Sequence, residues 1–310
     1  MQLWHCGSQK GGVGKTTISW HVACATKRRH PKARVVFIDA THVQGSRSLS
    51  LAHDKEVAGE GFGRALAMLQ GGVVPGIAWS KQAREIDEAA DRAYSVVKSS
   101  ITHVAIGDSL EVLFIPAAHV VLTAALKNWR EERRGVLLKK LLDKFEFDYC
   151  IIDTIGDPSG VMQESVMQVA DSCLFLEDLR DYEALAGFGT LVADAREAGV
   201  KIAGAVGNFL NPSVKTDGKK SRTKSAIALD LFSDTCMAAQ IEVLDIFKSN
   251  VTSLASAMNV YKKAGTVSSS VYIEMEETPS NRKNLETIAR RMEALSAKLE
   301  KSCEIPTANL

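Results

Sequence analysis

Gln9-Lys10-Gly11-Gly12-Val13-Gly14-Lys15-Thr16-Thr17 stands almost at the start of the 310-residue chain, and its reading decides the fold. The close, Gly14-Lys15-Thr16, is the end of the phosphate-binding pattern G-x-x-x-x-G-K-[ST]. The opening glycine of that pattern would fall at position 9, where the chain has Gln9. A second lysine, Lys10, and two glycines follow instead. Gly11, Gly12 and Gly14 lack a Cβ, so the backbone can take φ > 0 and approach a bound anion closely. Consecutive backbone N–H groups then line one concavity suited to phosphate oxygens. Residues from Thr17 to Ala25 read as a helix whose positive N-terminal end faces the same phosphates. Lys15 would neutralise the β- and γ-phosphates of a nucleotide, and the Thr16 hydroxyl would be a Mg²⁺ ligand.

Working outward, Met1 to Gly7 should be the first, central strand, because it leads directly into this loop. The helix after the loop ends in Lys27-Arg28-Arg29-His30 before Pro31, cations that complement a helix C-terminus. Arg34 to Asp39 and Phe147 to Asp153 are apolar runs that each end in an aspartate, as expected of parallel strands buried on both faces. Leu110 to Pro116, Ser172 to Leu176, Val200 to Val206 and Ile241 to Ile246 are further strand candidates. Charged or amphipathic helices are expected at about 124–144, 182–198 and 281–301, the last with Leu285, Ile288, Met292, Leu295 and Leu299 at helical spacing. Glycines interrupt the helical patterns of residues 40–110, and a helical insert is expected at about 55–105. Strands alternating with helices imply an α/β fold with a doubly wound, mostly parallel sheet and helices on both faces. With no repeat and no linker, residues 1–310 read as one domain.

Composition sets limits on function. With 45% apolar and 24% charged residues the chain is of ordinary globular type, and a net charge of +1 gives no global preference for nucleic acid. The six cysteines are scattered without a C-x-x-C pair, as expected of reduced core thiols in a cytoplasmic protein. No apolar run approaches the ~20 residues needed to span a membrane, and no signal-peptide core precedes the loop.

The loop Ser8-Gln9-Lys10-Gly11-Gly12-Val13-Gly14-Lys15-Thr16-Thr17 resembles the deviant Walker A loop of the ParA/Soj/MinD family of ATPases. The resemblance implies a P-loop fold, ATP and Mg²⁺ as cofactors, and an ATP-sandwiched homodimer in which Lys10 reaches the partner's nucleotide. It gives Lys10, Lys15 and Asp39 catalytic roles, and Thr16, Asp39 and Asp153 metal roles, with Asp153 resembling the Walker B aspartate. Gly11 to Thr17 would cradle the nucleotide. Asn208, closing the strand from Ala203 to Gly207, sits where the family places an asparagine near adenine. An amide suits a purine edge because it both donates and accepts, although a turn-forming Asn is an equal alternative.

The chain also departs from the pattern. The family's D-x-D-P-Q segment reads here Asp39-Ala40-Thr41-His42-Val43-Gln44, so Thr41 replaces the second aspartate, the one associated with orienting the attacking water. Asp157 and His42 are nearby candidates to compensate. ATP binding is therefore expected more firmly than rapid hydrolysis, because phosphoryl transfer rests mainly on positioning and charge. Val169-Ala170-Asp171-Ser172 and Tyr182-Glu183-Ala184-Leu185 extend the resemblance beyond the second aspartate strand.

Two further stretches bear on partners. Lys215, Lys219, Lys220, Arg222 and Lys224 stand against Asp217 alone, a segment able to hold DNA phosphates without reading sequence. The resemblance implies non-specific DNA binding, nucleoid association, and a ParB-like or other adaptor in plasmid or chromosome partition or a related positioning task. The polar face of the C-terminal helix mixes Glu286, Glu293 and Glu300 with Arg290, Arg291, Lys298 and Lys301 and lacks aromatics. It is expected to pack on the sheet rather than to act as a membrane anchor. Two alternatives share the loop: an ATP-binding scaffold with little hydrolysis, and a MinD-like regulator. An iron–sulfur reductase of the nitrogenase iron-protein type needs paired cluster cysteines, and no such pair is apparent.

Overall fold

The apolar runs ending in aspartate become the middle of one sheet. The computed structural model describes residues 1–42, 60–71, 81–99, 101–106, 110–118, 127, 131–156, 160–180, 182–211, 223–248 and 279–304, and structural statements refer to these. Eight strands are present: β1 (Gln2–Gly7), β2 (Val35–His42), β3 (Thr102–Ile106), β4 (Leu110–Ala118), β5 (Tyr149–Thr154), β6 (Ser172–Asp178), β7 (Lys201–Leu210) and β8 (Val243–Lys248). Their order is β3-β4-β2-β5-β1-β6-β7-β8, and every neighbouring pair is parallel except β3 and β4. The helices are α1 (Lys15–Arg29), α2 (Glu60–Gly71), α3 (Ala83–Lys98), α4 (Glu131–Leu142), α5 (Val161–Met167), α6 (Phe188–Glu197), α7 (Lys224–Ala238) and α8 (Pro279–Cys303), with a 3₁₀ turn at Tyr182–Leu185.

Alternation along β1 shows how the layers form. Trp4 and Cys6 join the core under α1 and α8 with Trp20, Phe37, Ile151, Met292 and Leu295. Leu3 joins the opposite core, where α2 to α7 pack with Ile38, Ile152, Phe175, Phe188 and Phe232. Side chains of this size contribute about 1.5–3 kcal/mol each when fully buried, so two such layers hold the sheet rigid between them. The apolar stripe of the C-terminal helix is part of the first core: Ile288, Met292, Leu295 and Leu299 are buried.

The expected doubly wound α/β sheet is therefore present, with β1 interior to it. The chain passes from β5 to β6 on opposite sides of β1 through α5, which creates a switch point at the carboxyl ends of these strands. Three features depart from the sequence reading. The expected helix at 182–198 is divided into the 3₁₀ turn and α6, and at the division the Gly187 backbone lies against the Gln9 side chain; a Cβ there would stand 2.6 Å from Gln9 Oε1. Strand β3, inside the expected helical insert, pairs antiparallel to β4 at the sheet edge. Helix α7 has no counterpart in the sequence reading: its exposed Ile227, Leu231 and Met237 offset buried Ala226, Ala228 and Phe232, so no single apolar stripe marks it. The helix expected at 124–144 is described over Glu131–Leu142.

Candidate nucleotide site

The loop between β1 and α1 turns through two left-handed glycines, Gly12 at φ 76° and Gly14 at φ 88°. Gly14 is the N-cap of α1. It offers no side-chain cap, and the first turn has no acid, so the first amides of the helix are left for an external anion. Gly156, after β5, passes so close that a Cβ there would lie 2.8 Å from the Lys10 carbonyl. Lys15 is buried, 6% exposed, and its ammonium donates to Ser8 Oγ at 2.8 Å and to the Lys10 carbonyl at 3.1 Å. Ser8 Oγ donates to the same carbonyl at 2.8 Å. The lysine thus lies along the inside of the loop. Lys10 itself is exposed on the outer rim.

Beneath the start of α1 the two terminal aspartates are neighbours: Asp39 and Asp153 are register partners across β2 and β5, and both are buried. Neither carboxylate oxygen of Asp153 accepts a well-formed hydrogen bond. Burial first, and then the Asp39 carboxylate, push the Asp153 carboxyl well above the usual range; the nearby Thr16 hydroxyl and Lys15 partly oppose this. Burial likewise lowers the Lys15 ammonium, against the pull of Asp153, Glu177 and Cys6. A wholly buried carboxylate with both oxygens unpartnered is costly, and it fits a site that a cation completes. Mg²⁺ takes one or two carboxylates and keeps waters or phosphate oxygens for the rest, which Asp153, Asp39 and the Thr16 hydroxyl suit.

The opposite wall comes from β6 and β7. Asn208 is 7% exposed; its Nδ2 donates to the Val13 carbonyl at 2.8 Å and its Oδ1 accepts from Phe209 N at 2.9 Å. Asp178 receives the Arg180 backbone N–H and its guanidinium, and that guanidinium lies 4.5 Å over the Phe209 ring. Glu177 is fully buried with neither oxygen hydrogen-bonded, and burial pushes its carboxyl up to about 8, against Lys15.

The structure thus brings Lys10, Gly11, Gly12, Val13, Gly14, Lys15, Thr16, Thr17, Asp39, Asp153 and Asn208 to one edge. Residues 40–42 continue β2, but the side chains of Thr41 and His42 lie outside the described residues, as do Asp157, Lys215, Lys219, Lys220 and Arg222. Lys224 is the exposed first residue of α7, after the Thr223 cap. Sequence reasoning missed Ser8, Glu177, Asp178 and Arg180. The signal for the acids is present in the chain: acids follow the apolar run of β6, which stops at Leu176, as they follow the apolar runs of β2 and β5.

A family model described as AAA domain matches residues 2–202. Among solved structures, the chain is similar to the ATP complex of a McdA variant from Cyanothece, at 18% identity and a TM-score of 0.58 over 94% of this chain and 96% of that one. It is also similar to the MinC:MinD cell division complex of Aquifex aeolicus, at 15% identity and a TM-score of 0.57 over 100% and 99%. A ParA family ATPase from Chlorobium tepidum matches at 18% identity and a TM-score of 0.55 over 93% and 97%. At such identities the likeness to solved structures speaks for the fold, and the family match covers well over half of the chain. The chain belongs to the AAA domain family and has the fold of the ParA/MinD-like P-loop ATPases.

Proposed function

We propose that this chain binds ATP with Mg²⁺ at the β1–α1 edge and hydrolyses it slowly, as the switch of an ATP-dependent homodimer. The observation that carries the reading is Asp153, fully buried and unpartnered beneath a loop whose amides, lysine and Thr16 all suit phosphate. When bound, Mg²⁺ would offset the charge of the β- and γ-phosphates. Asp153, Asp39 and Thr16 would hold it. The α1 amides would take phosphate oxygens, and Lys15 would leave Ser8 to pair with them. Lys10, exposed on the rim, suits a role across a dimer, stabilising transition-state charge at the partner's nucleotide. The McdA relative being an ATP complex, and the MinD relative a complex with MinC, support nucleotide use and partner binding in this reading.

The downstream task would be to hold non-specific DNA and an adaptor protein of ParB-like kind in intracellular positioning, in the cytoplasm and at the nucleoid. Five cations, Lys215, Lys219, Lys220, Arg222 and Lys224, are the DNA candidates. If all five met phosphate, log K would fall against log[salt] with a slope of about −4. A salt-insensitive affinity would remove them.

A second reading rests on Thr41: a nucleotide-dependent scaffold with little turnover. Threonine cannot serve as a carboxylate base. Steady-state phosphate release, measured beside ATP-dependent DNA retention, separates the two readings. The switch predicts slow release that Thr41→Asp accelerates; release at background in both proteins, with DNA still retained, favours the scaffold.

A further inference from the structure

We propose that Glu177 couples nucleotide binding to proton uptake, as a carboxyl group that has to be neutral while phosphates occupy the loop. The proposal rests on the loop being a nucleotide site. Strand alternation places the two unpartnered acids on opposite faces of the sheet. Ile151 of β5 lies in the core under α1, and Asp153 follows on that face, beside the Thr16 hydroxyl. Phe175 of β6 lies in the opposite core, and Glu177 follows it there, towards Cys236 of α7. Glu177 is therefore not among the groups that would hold Mg²⁺, and its burial needs a separate account.

Its surroundings define its state. Glu177 is 0% exposed, and neither oxygen receives a hydrogen bond. Asp178, the next residue, differs, because it accepts the Arg180 backbone N–H and the guanidinium at 2.9 Å each. The register partner of Glu177 on β7 is Gly207, which has no side chain to offer. Among the described residues, the titratable groups acting on Glu177 are Lys15 from the loop, Asp178 on its own strand and the Cys236 thiol of α7. Lys15 alone favours the carboxylate, and its ammonium is already engaged by Ser8 Oγ and the Lys10 carbonyl. A buried carboxylate without hydrogen bonds is costly, so the group keeps its proton, in keeping with a carboxyl pushed up to about 8 by burial.

A nucleotide shifts this balance in one direction. Its phosphates bring negative charge to the loop and draw Lys15 to themselves, so the one cation favouring ionised Glu177 is neutralised. Below about pH 7 the proton is already in place and binding exchanges none at this residue. Above about pH 8 the free protein holds a carboxylate, and binding converts it to the carboxyl form by taking one proton from solvent. A terminal phosphate titrates near pH 6, well below this range. Affinity for ATP should therefore fall as pH rises through about 8, by up to about tenfold per pH unit.

Titration calorimetry of ATP with Mg²⁺, in buffers of different ionisation enthalpy, counts the protons exchanged. At about pH 8.5 the wild type should take up about half a proton per ATP. Glu177→Gln keeps the size and is neutral at every pH, so it should take up much less and bind ATP more tightly than the wild type there. At about pH 6.5 the two proteins should agree. Lys15, whose ammonium is lowered by burial, is the competing source of uptake, and the variant retains it. Equal or larger uptake by Glu177→Gln would assign the proton to Lys15 and overturn the proposal, as would wild-type binding with no uptake. Infrared difference spectra of the wild type give a second readout should the variant not fold. Adding ATP and Mg²⁺ at about pH 8.5 should raise the carbonyl band of a protonated carboxyl group, and an unchanged band would also overturn the proposal. Wild-type protein that shows no binding at either pH would instead remove the nucleotide site, and this proposal with it.

Discussion

The two ends of the parallel strands treat their polar groups in opposite ways. At the amino edge, where β1 and β5 begin, Glu300 of α8 accepts from Arg29 at 2.6 Å and from Tyr149 at 2.7 Å, with His30 at 3.3 Å. Arg29 also donates to Ser296 at 2.9 Å, which meets Thr26 at 2.9 Å, and the His30 ring stacks on Tyr149. This edge closes on itself and fastens α8 to α1 and β5. At the carboxyl edge the same β5 ends in Asp153 with both oxygens unpartnered, and β6 carries Glu177 in the same condition. A fold can bear unpaired buried carboxylates only if the surrounding core outweighs their cost, and such groups concentrate where a ligand completes the arrangement. The comparison separates residues that hold the protein together from residues that await something.

Substitutions at the two edges should therefore fail in different assays. The largest effect is expected for Lys10→Ala: if Lys10 acts across the dimer as a charge-stabilising finger, phosphate release should fall about 10³-fold with ATP affinity little changed. Unchanged turnover would remove the trans role. Lys15→Ala should weaken ATP about 100-fold, from the loss of charge-assisted contacts, and should leave the fold intact. At the amino edge, Glu300→Gln should cost about 1–2 kcal/mol in chemical denaturation while ATP affinity stays at the wild-type value. A change in ATP affinity there would break the division between the edges.

The pH dependence of stability gives a separate contrast, in which the edges carry opposite signs. Burial acts to raise the Glu300 carboxyl, but hydrogen bonds from Tyr149, Arg29 and His30 outweigh it and leave it below the usual 4.5. Its contribution is present above that value and is lost as pH falls through the folded pKa. Glu177 titrates near 4.5 in an unfolded chain and near 8 when folded. Between these values the folded state keeps a proton that the unfolded state has released, so stability is lost as pH rises from about 4.5 to 8. Melting of Glu177→Gln should be flatter than wild type across that window; an identical slope would show that Glu177 does not hold the proton.

Much of the carboxyl edge is legible in the sequence because its chemistry is local. Gly14, Lys15 and Thr16 are contiguous, and a buried strand ending in aspartate needs only short-range pattern to be recognised, as at Asp39 and Asp153. The amino edge is not legible, since Arg29 and Glu300 are 271 residues apart and only the packing of α8 on α1 brings them together. The helix dipole alone accounts for the basic cluster Lys27-Arg28-Arg29-His30 in the sequence, and that account omits Glu300. Helix α7 escapes because Ile227 and Leu231 are exposed on it, which blurs the 3.6-residue period. The end of a strand marks the place of Asn208, whereas its bond to Val13 depends on a loop–strand contact that no spacing encodes.

Calorimetric titration of ATP in the presence of Mg²⁺, run on wild type and Asp153→Asn, tests most directly whether the unpaired edge is the nucleotide site. Wild type should bind ATP, with affinity dependent on Mg²⁺, and at 100 times its Kd the ligand should stabilise the fold by about 2.7 kcal/mol. Asp153→Asn should bind with the Mg²⁺ dependence lost. Wild-type protein showing neither heat of binding nor stabilisation by ATP and Mg²⁺ would contradict the account.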